Sequence, residues 1–165
     1  MTFYRRNLPH LQRDDKAHFI TFVTKNRWTL SAPARDIVLA CCCHDDHFNY
    51  DLHVAVVMPD HAHLILTPLI VDRAVMPLAK IMKAIKGASA HLINHELGHR
   101  GTLWQEESFD HVLRSSESLD QKVLYVLENP VRRGLAADWH GYRWLWCKPF
   151  NPYAPSKRPN SGPPV

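Results

Sequence analysis

YDLHVAVVMPDHAHLILTP occupies residues 50–68, and the way it folds decides the architecture of the chain. Its first part, YDLHVAVVM (50–58), is rich in β-branched side chains and reads as a strand. Pro59 and Asp60 are turn formers, and HAHLILTP (61–68) reads as the strand that returns antiparallel. Successive side chains of a strand point to opposite faces. His61 and His63 therefore project together, while Ala62 and Leu64 project the other way. A histidine pair framed by apolar runs is either a preorganised pair of metal ligands or two histidines on a solvated face.

Outward from this hairpin the pattern stays regular. AHFITFVTKN (17–26) is aromatic and β-branched and reads as a first strand. Residues 31–48 open with Ser31 and Pro33, both helix-start signals, and place Ile37, Val38, Cys41 and Cys42 at helical spacing. Downstream, a long helix is predicted from about 74 to 97. Its apolar face is Met76, Leu78, Ile81, Met82, Ile85, Leu92 and Ile93, and Gly98 and Gly101 end it. Residues 103–114 read as a turn or short strand pair. Ser115 or Ser116 caps a last helix, with Glu117 and Leu119 in its first turn. That helix runs through LDQKVLYVLEN to Pro130, which cannot continue it without cost. The order β, α, β, β, α, extended pair, α predicts an α+β fold, with helices packed on one face of an antiparallel sheet.

The chain has 165 residues, 45% hydrophobic and 22% charged, which suits one globular domain with a real core. No run approaches the roughly 20 apolar residues of a membrane span. Residues 1–17 lack the apolar stretch of a signal peptide, so the reading is cytoplasmic. Cys41, Cys42 and Cys43 are adjacent and Cys147 stands alone, which reads as reduced thiols rather than a disulfide framework. Net charge is +4, and the basic excess lies at the ends: Arg5, Arg6 and Arg13 without an acid, then Lys148, Lys157 and Arg158 without an acid. Such termini suit a phosphate-bearing partner. The proline-rich residues 148–165 have no apolar period and read as a basic flexible tail behind a single domain, 1–147.

A second candidate metal motif is NHELGHRG (94–101), where His95, Glu96 and His99 have the H-E-x-x-H spacing of zinc peptidases. Gly98 interrupts it at a helix end, and Thr102 and Gln105 stand where the extended motif needs glycine and a third histidine. On the late helix, Tyr125 and Asn129 lie four residues apart and share a face. Tyr125 is either a phosphate-attacking nucleophile supported by a metal or an aromatic packed between Leu124 and Leu127.

Taken together these segments resemble a family. VVMPDHAHLILTP looks like the H-hydrophobe-H motif of single-tyrosine HUH transposases, and YVLENPVRRGL looks like their tyrosine helix in its REP-associated form. Between them, KIMKAIKGASAHLINHELGHRGTLWQEESFDHVLRS is similar to the family's linking stretch. That stretch commonly reads K-G, then I-N-x-x-L-G, then W-Q-x-E-S-[FY]-D-H-x-x-R. The N-terminal RRNLPH also fits, so the likeness spans about residues 3–144. It accounts for Leu97-Gly98 inside HELGH without any need for His95, Glu96 or His99.

The resemblance implies a ferredoxin-like or RRM-like sheet of the HUH endonuclease type. It implies Tyr125 as nucleophile on single-stranded DNA with hairpin or palindromic repeats, leaving a 5′-phosphotyrosine. His61, His63 and Asn129 would hold Mg²⁺ or Mn²⁺. Asp60, where many relatives have Asn, would add a carboxylate near the ion or cap the turn, with the cap favoured. Arg5, Arg6, Lys83, Lys86, Arg114, Arg132 and Arg133 are candidates for phosphate contact. Trp104 and Phe109 would stack on unpaired bases or pack in the core. A monomer or a homodimer is compatible with all of this, and no membrane role is implied. Two rival functions differ in kind: a catalytically inactive module that only binds DNA or RNA hairpins, and the zinc peptidase on His95, Glu96 and His99.

Overall fold

A computed structural model describes residues 2–3, 16–114 and 118–149. Their strands are β1 (Thr2–Phe3), β2 (His18–Val23), β3 (Tyr50–Val57), β4 (His61–Pro68), β5 (Ile70–Val71), β6 (Ala74–Val75), β7 (Phe109–Val112) and β8 (Leu145–Cys147). The α-helices are α1 (Ala32–His44), α2 (Leu78–Leu97), α3 (Leu119–Leu127) and α4 (Asn129–Arg132). Six strands form one antiparallel sheet in the order β1-β7-β2-β4-β3-β8. The α+β class and the antiparallel sheet agree with the sequence.

The β3–β4 hairpin is the centre of this sheet. Its turn closes with the Met58 amide donating to the His61 carbonyl at 2.7 Å, and Pro59 occupies the position that its fixed φ favours. The register slips once: Leu52 faces Leu66, yet Val54 faces Ile65, so His53 is the extra residue of a bulge. The slip lets Tyr50 and Leu52 before it share a face with Ala55 and Val57 after it. Without it, period-2 alternation would turn half of the strand's apolar set outward.

That face carries the larger core. Ala34, Val38 and Cys42 of α1, at helical spacing, and Leu78, Ile81, Met82, Ile85 and Ile93 of α2 pack on Ile20, Phe22, Ala62, Leu64 and Leu66. Ser31 caps α1 by accepting from the Ala34 amide at 3.3 Å. The opposite face holds a second core, where Val123, Val126 and Leu127 of α3 cover Val54, Val56 and Ile65, together with Tyr142. The two long helices thus share one face as the pattern predicts, and α3 lies on the other.

Several local expectations are corrected. Residues 74 and 75 belong to a small hairpin, β5–β6, whose Asp72 and Arg73 both have positive φ, the requirement of a two-residue turn. The long helix therefore starts at Leu78 behind Pro77, and Met76 reaches the core from outside it. Leu92, assigned to the apolar face, is 36% exposed. The cap of α3 is Ser118, which accepts from the Gln121 amide; Ser115, Ser116 and Glu117 lie outside the described residues. Residues 103–114 supply one strand, β7, plus a bridge from Trp104 to Thr24. Strand β8 is too short to carry a pattern and was not foreseen. Lys148, placed in the tail by composition, is tied to the sheet: its amide donates to the His53 carbonyl and its ammonium reaches Asp51 at 2.8 Å. Residues 150–165 lie outside the described residues. Among those described, no helix is long and apolar enough to cross a membrane.

Candidate metal and nucleic-acid site

Strand pairing fixes the histidine pair. His63 sits opposite Thr21 on β2 and Val56 on β3, and His61 sits opposite Val23. Both rings project to the face covered by α3, with centroids 4.8 Å apart and planes at 74°. His61 is 7% exposed. Its Nδ1 lies 2.6 Å from Asp60 Oδ1, and His63 Nδ1 lies 2.8 Å from Thr21 Oγ1. With each Nδ1 taken, each ring keeps Nε2 for a ligand, and the partner of Nδ1 fixes ring orientation. Phe19 stacks on His63 at 5.5 Å.

Electrostatics keep His63 neutral. Burial, then the charges of His61, Arg133 and Arg132, lower His63 to about 3. A neutral imidazole is the metal-binding form, so no proton competes for His63 near neutrality. For Asp60, burial pushes the carboxyl up, but the hydrogen bond and charge of His61, with Arg27 at 3.3 Å, outweigh it and hold the carboxylate below its usual range. Asp60 thus neither caps the turn with its side chain, as favoured from sequence, nor stands unattached: it orients His61.

The segment that follows on this side of the sheet is α3–α4. Its buried stripe Val123, Val126 and Leu127 fixes it on the sheet, which turns Tyr125 outward at 55% exposure. Core packing is therefore not the role of Tyr125. The Arg132 guanidinium lies over its ring at 4.2 Å and donates to its carbonyl at 2.6 Å, and Lys122 Nζ lies 5.5 Å from the same ring. Glu128 in the αR region joins α3 to α4, and Pro130 falls in the first turn of α4, where its missing N–H costs nothing. Asn129 opens this short helix, is 8% exposed, and its amide makes no side-chain hydrogen bond among the described residues. Imidazole nitrogens and a carboxamide oxygen, with no thiolate, are donor types that fit a divalent ion. Burial raises the cysteine thiols instead, Cys43 and Cys147 to about 11.

A family profile described as Transposase IS200 like matches residues 13–128. The chain belongs to the IS200-like transposase family. The solved structure of a REP-associated tyrosine transposase bound to a REP hairpin is similar at 21% identity and a TM-score of 0.64, covering 88% of this chain and 82% of that one. At that identity the likeness is one of fold. A putative transposase from Deinococcus radiodurans R1 is 24% identical with a TM-score of 0.45, over 78% of this chain and 97% of that one. No curated protein matches the chain.

In this transposase-family protein the nucleic-acid candidates separate. Arg132 at the end of α4 and Arg133, its C-cap, are exposed, and their charges act on His63. Lys83 is exposed on α2 and Arg114 at the end of β7. Lys86 differs: its ammonium donates to the carbonyls of Gln105 and Glu106 and to Ser108 Oγ at 2.7, 3.0 and 3.3 Å. All three of its hydrogens are engaged, so it ties down the 105–108 loop rather than offering a phosphate contact. Trp104 packs in the core rather than against DNA: it is 4% exposed, edge-on to Phe22 at 4.6 Å, with Nε1 donating to Ser89. Arg5 and Arg6 lie outside the described residues. Sequence reasoning missed Thr21, Arg27 and the Arg132–Tyr125 contact; the seven-residue spacing of that last pair, two helical turns, was the available signal.

The peptidase motif does not assemble. Gly98 ends α2 with a φ of 69°, and His95 and Glu96 are exposed on its last turn. His99 has left the helix to pack on Trp28. Among the described residues, the acid and histidine groups close enough to share an ion are Asp46, His47 and Asp51. Lys148 already compensates Asp51, and that group sits at the Thr67 end of β4, four residues or about 13 Å from His63.

Proposed function

We propose that this transposase-family protein is a metal-dependent enzyme that nicks and rejoins single-stranded DNA beside hairpin or palindromic repeats. Transposase-type strand transfer then proceeds through a 5′-phosphotyrosine at Tyr125. The observation that carries the reading is a shared face: His61 and His63 project from β4 toward the side of the sheet that α3 covers, and the α3–α4 segment carries Tyr125 and Asn129. The hairpin-bound transposase of similar fold supports hairpin DNA as the substrate class.

His61 Nε2, His63 Nε2 and the Asn129 carboxamide would hold Mg²⁺ or Mn²⁺. The ion supplies charge neutralisation and orientation of the scissile phosphate. The Asp60 carboxylate accepts from Nδ1 and so leaves His61 Nε2 bare, and Thr21 fixes the orientation of the His63 ring. Arg132 and Lys122 place positive charge beside the Tyr125 ring, where a phosphodiester must approach. Tyr125 Oη forms a bond to phosphorus and loses its proton to solvent. The bond from phosphorus to O3′ breaks, and the departing oxygen takes up a proton as a 3′-OH. Rejoining runs the same exchange backward, one P–O bond made for each broken, so no nucleotide triphosphate is consumed. Lys83, Arg114 and Arg133, with Arg5 and Arg6, would steady the strand through its phosphates. Residues 1–147 would form the catalytic domain, with the basic tail behind it, working in the cytoplasm as a monomer or homodimer.

Incubation with a labelled single-stranded hairpin oligonucleotide in Mn²⁺ should give an adduct stable to denaturing electrophoresis. Tyr125→Phe should abolish it while retaining binding. An adduct that survives in Tyr125→Phe would remove Tyr125 as the nucleophile, and binding without any adduct in the unaltered protein would leave a hairpin-binding module.

A further inference from the structure

The helix that carries HELGH does hold two histidines one turn apart on a common face, but they are His91 and His95 rather than His95 and His99. Positions 91 and 95 both lie within α2 and are exposed on its outer side. Their rings are nearly parallel, at 20°, with centroids 6.2 Å apart, close to the rise of about 6 Å over four helical residues. His99 sits beyond the Gly98 cap, where its Nδ1 is 2.7 Å from Asn94 Oδ1. The H-E-x-x-H spacing thus points one turn too far along the chain.

The pair is free to take a ligand. Elsewhere in the fold, the rings of His18, His61 and His140 lie against carboxylates, and those of His53 and His63 against threonine hydroxyls. Neither His91 nor His95 makes a hydrogen bond or ion pair among the described residues. The backbone beneath them is fixed. On the inner side of the same turns Ile85, Ser89 and Ile93 are buried, and Ser89 Oγ donates to the Ile85 carbonyl at 2.7 Å and accepts from Trp104 Nε1 at 3.0 Å. An ion about 2.0–2.1 Å from two tetrahedrally placed nitrogens holds them about 3.3 Å apart. Rotation of two exposed side chains on a fixed turn brings them to that separation. The C-terminal end of a helix also carries partial negative charge, and the exposed Glu96 adds a carboxylate there, so the last two turns of α2 favour a cation. The group of Asp46, His47 and Asp51 offers more ligand atoms, but the Lys148 ammonium already lies 2.8 Å from Asp51.

We infer that His91 and His95 chelate a divalent transition ion of the Zn²⁺, Ni²⁺ or Cu²⁺ class, through one imidazole nitrogen each, with water in the remaining positions. Imidazole suits those ions, whereas Mg²⁺, Ca²⁺ and Mn²⁺ take oxygen-rich shells. Bound there, the ion ties the last two turns of α2 together just before Gly98. Catalytic zinc sites use three protein ligands; with two, the assignment is of ion binding and not of peptide hydrolysis. The site is also separate from the proposed catalytic ion. Helix α2 packs on the first core, and His61 and His63 project from the opposite face of the sheet.

The test is a calorimetric titration of Zn²⁺ into the full chain and into His91→Ala/Ala88→His, with the fold of each checked by circular dichroism. The variant keeps the number of histidines but sets the two at 88 and 95, two turns or about 10 Å apart along the axis, too far to share one ion. Both altered positions are exposed. The unaltered chain should bind one Zn²⁺ more than the variant, or bind that ion at least about tenfold more tightly, since loss of even a group that supports a ligand costs that much. The difference should persist in a His61→Ala/His63→Ala background and in excess Mg²⁺. Equal isotherms for the two chains overturn the inference, as does a difference that vanishes once His61 and His63 are replaced; displacement by Mg²⁺ overturns the ion class. Adduct formation in Mn²⁺ should be equal in the unaltered chain and the variant. Its loss in the variant would make the pair part of the catalytic ion's site and overturn the separate one.

Discussion

His63 should make the protein measurably sensitive to mild acid, and the size of the effect follows from its burial. Its folded-state value of about 3 lies far below the ordinary 6.5 of an exposed imidazole. A histidine depressed in this way is neutral in the fold and protonated in the unfolded chain between those limits. The unfolded state then binds more protons, so stability rises with pH across the window and is lost as pH falls below 6.5 toward 3. One pKa unit corresponds to about 1.4 kcal/mol, so lowering pH from 7 to 5 should cost about 2 kcal/mol through this residue alone. For a domain of this length that is a drop of roughly 4–8 °C in melting temperature. His53 is also lowered, mainly by burial, and adds a slope of its own. The measurement is therefore a difference: urea unfolding of the protein and of His63→Gln, both in EDTA, at pH 7 and pH 5. The variant should lose about 2 kcal/mol less than the protein itself. Parallel losses in the two would show that His63 protonates as easily in the fold as outside it, and the account of a neutral, proton-free His63 would fail.

The other predictions probe the supports of the site and the residues withdrawn from the DNA surface. Asp60→Asn should weaken Mn²⁺ binding about 10–100-fold, measured by calorimetric titration, because the group that orients a ligating histidine tunes affinity nearly as strongly as the ligand does; unchanged affinity would reduce the 2.6 Å contact to a surface pair. Trp104→Ala should cost about 3–5 kcal/mol in denaturant unfolding and leave hairpin affinity per folded molecule unaltered, whereas base stacking would give the reverse. Lys86→Met should destabilise by about 0.5–1.5 kcal/mol, since it removes the hydrogen bonds to Gln105, Glu106 and Ser108, and should leave the salt dependence of DNA binding unchanged.

Much of this arrangement is legible in the chain because it rests on short-range rules. The β3–β4 hairpin declares itself through β-branched runs around Pro59-Asp60, and the period-2 rule alone puts His61 and His63 on one side and Ala62 and Leu64 on the other. What periodicity does not reveal is set by tertiary contact. Nothing local marks β8 as a strand, since three residues become one only by pairing with Val54–Val56. Trp104 and Lys86 look like DNA contacts because Trp and Lys often are. Only the fold brings Ser89 to one and the 105–108 carbonyls to the other.

The side of the sheet taken by α3 is the clearest case of information the pattern lacks, and it has a functional consequence. A helix stripe of Val123, Val126 and Leu127 states that one face is buried, without stating against which side of the sheet. Had α3 joined α1 and α2, Tyr125 would lie across the sheet from both histidines. Strand geometry decides the matter indirectly: the bulge at His53 returns Ala55 and Val57 to the first core and leaves Val54 and Val56 on the second, beside Ile65. That apolar patch needs a cover, and α3 supplies it. The patch shares its face with His61 and His63, so the helix that buries it carries Tyr125 and Asn129 to the histidine side as a matter of packing. The phosphate chemistry proposed here thus depends on a single inserted residue in β3, His53, whose own ring lies 2.9 Å from Thr67 Oγ1.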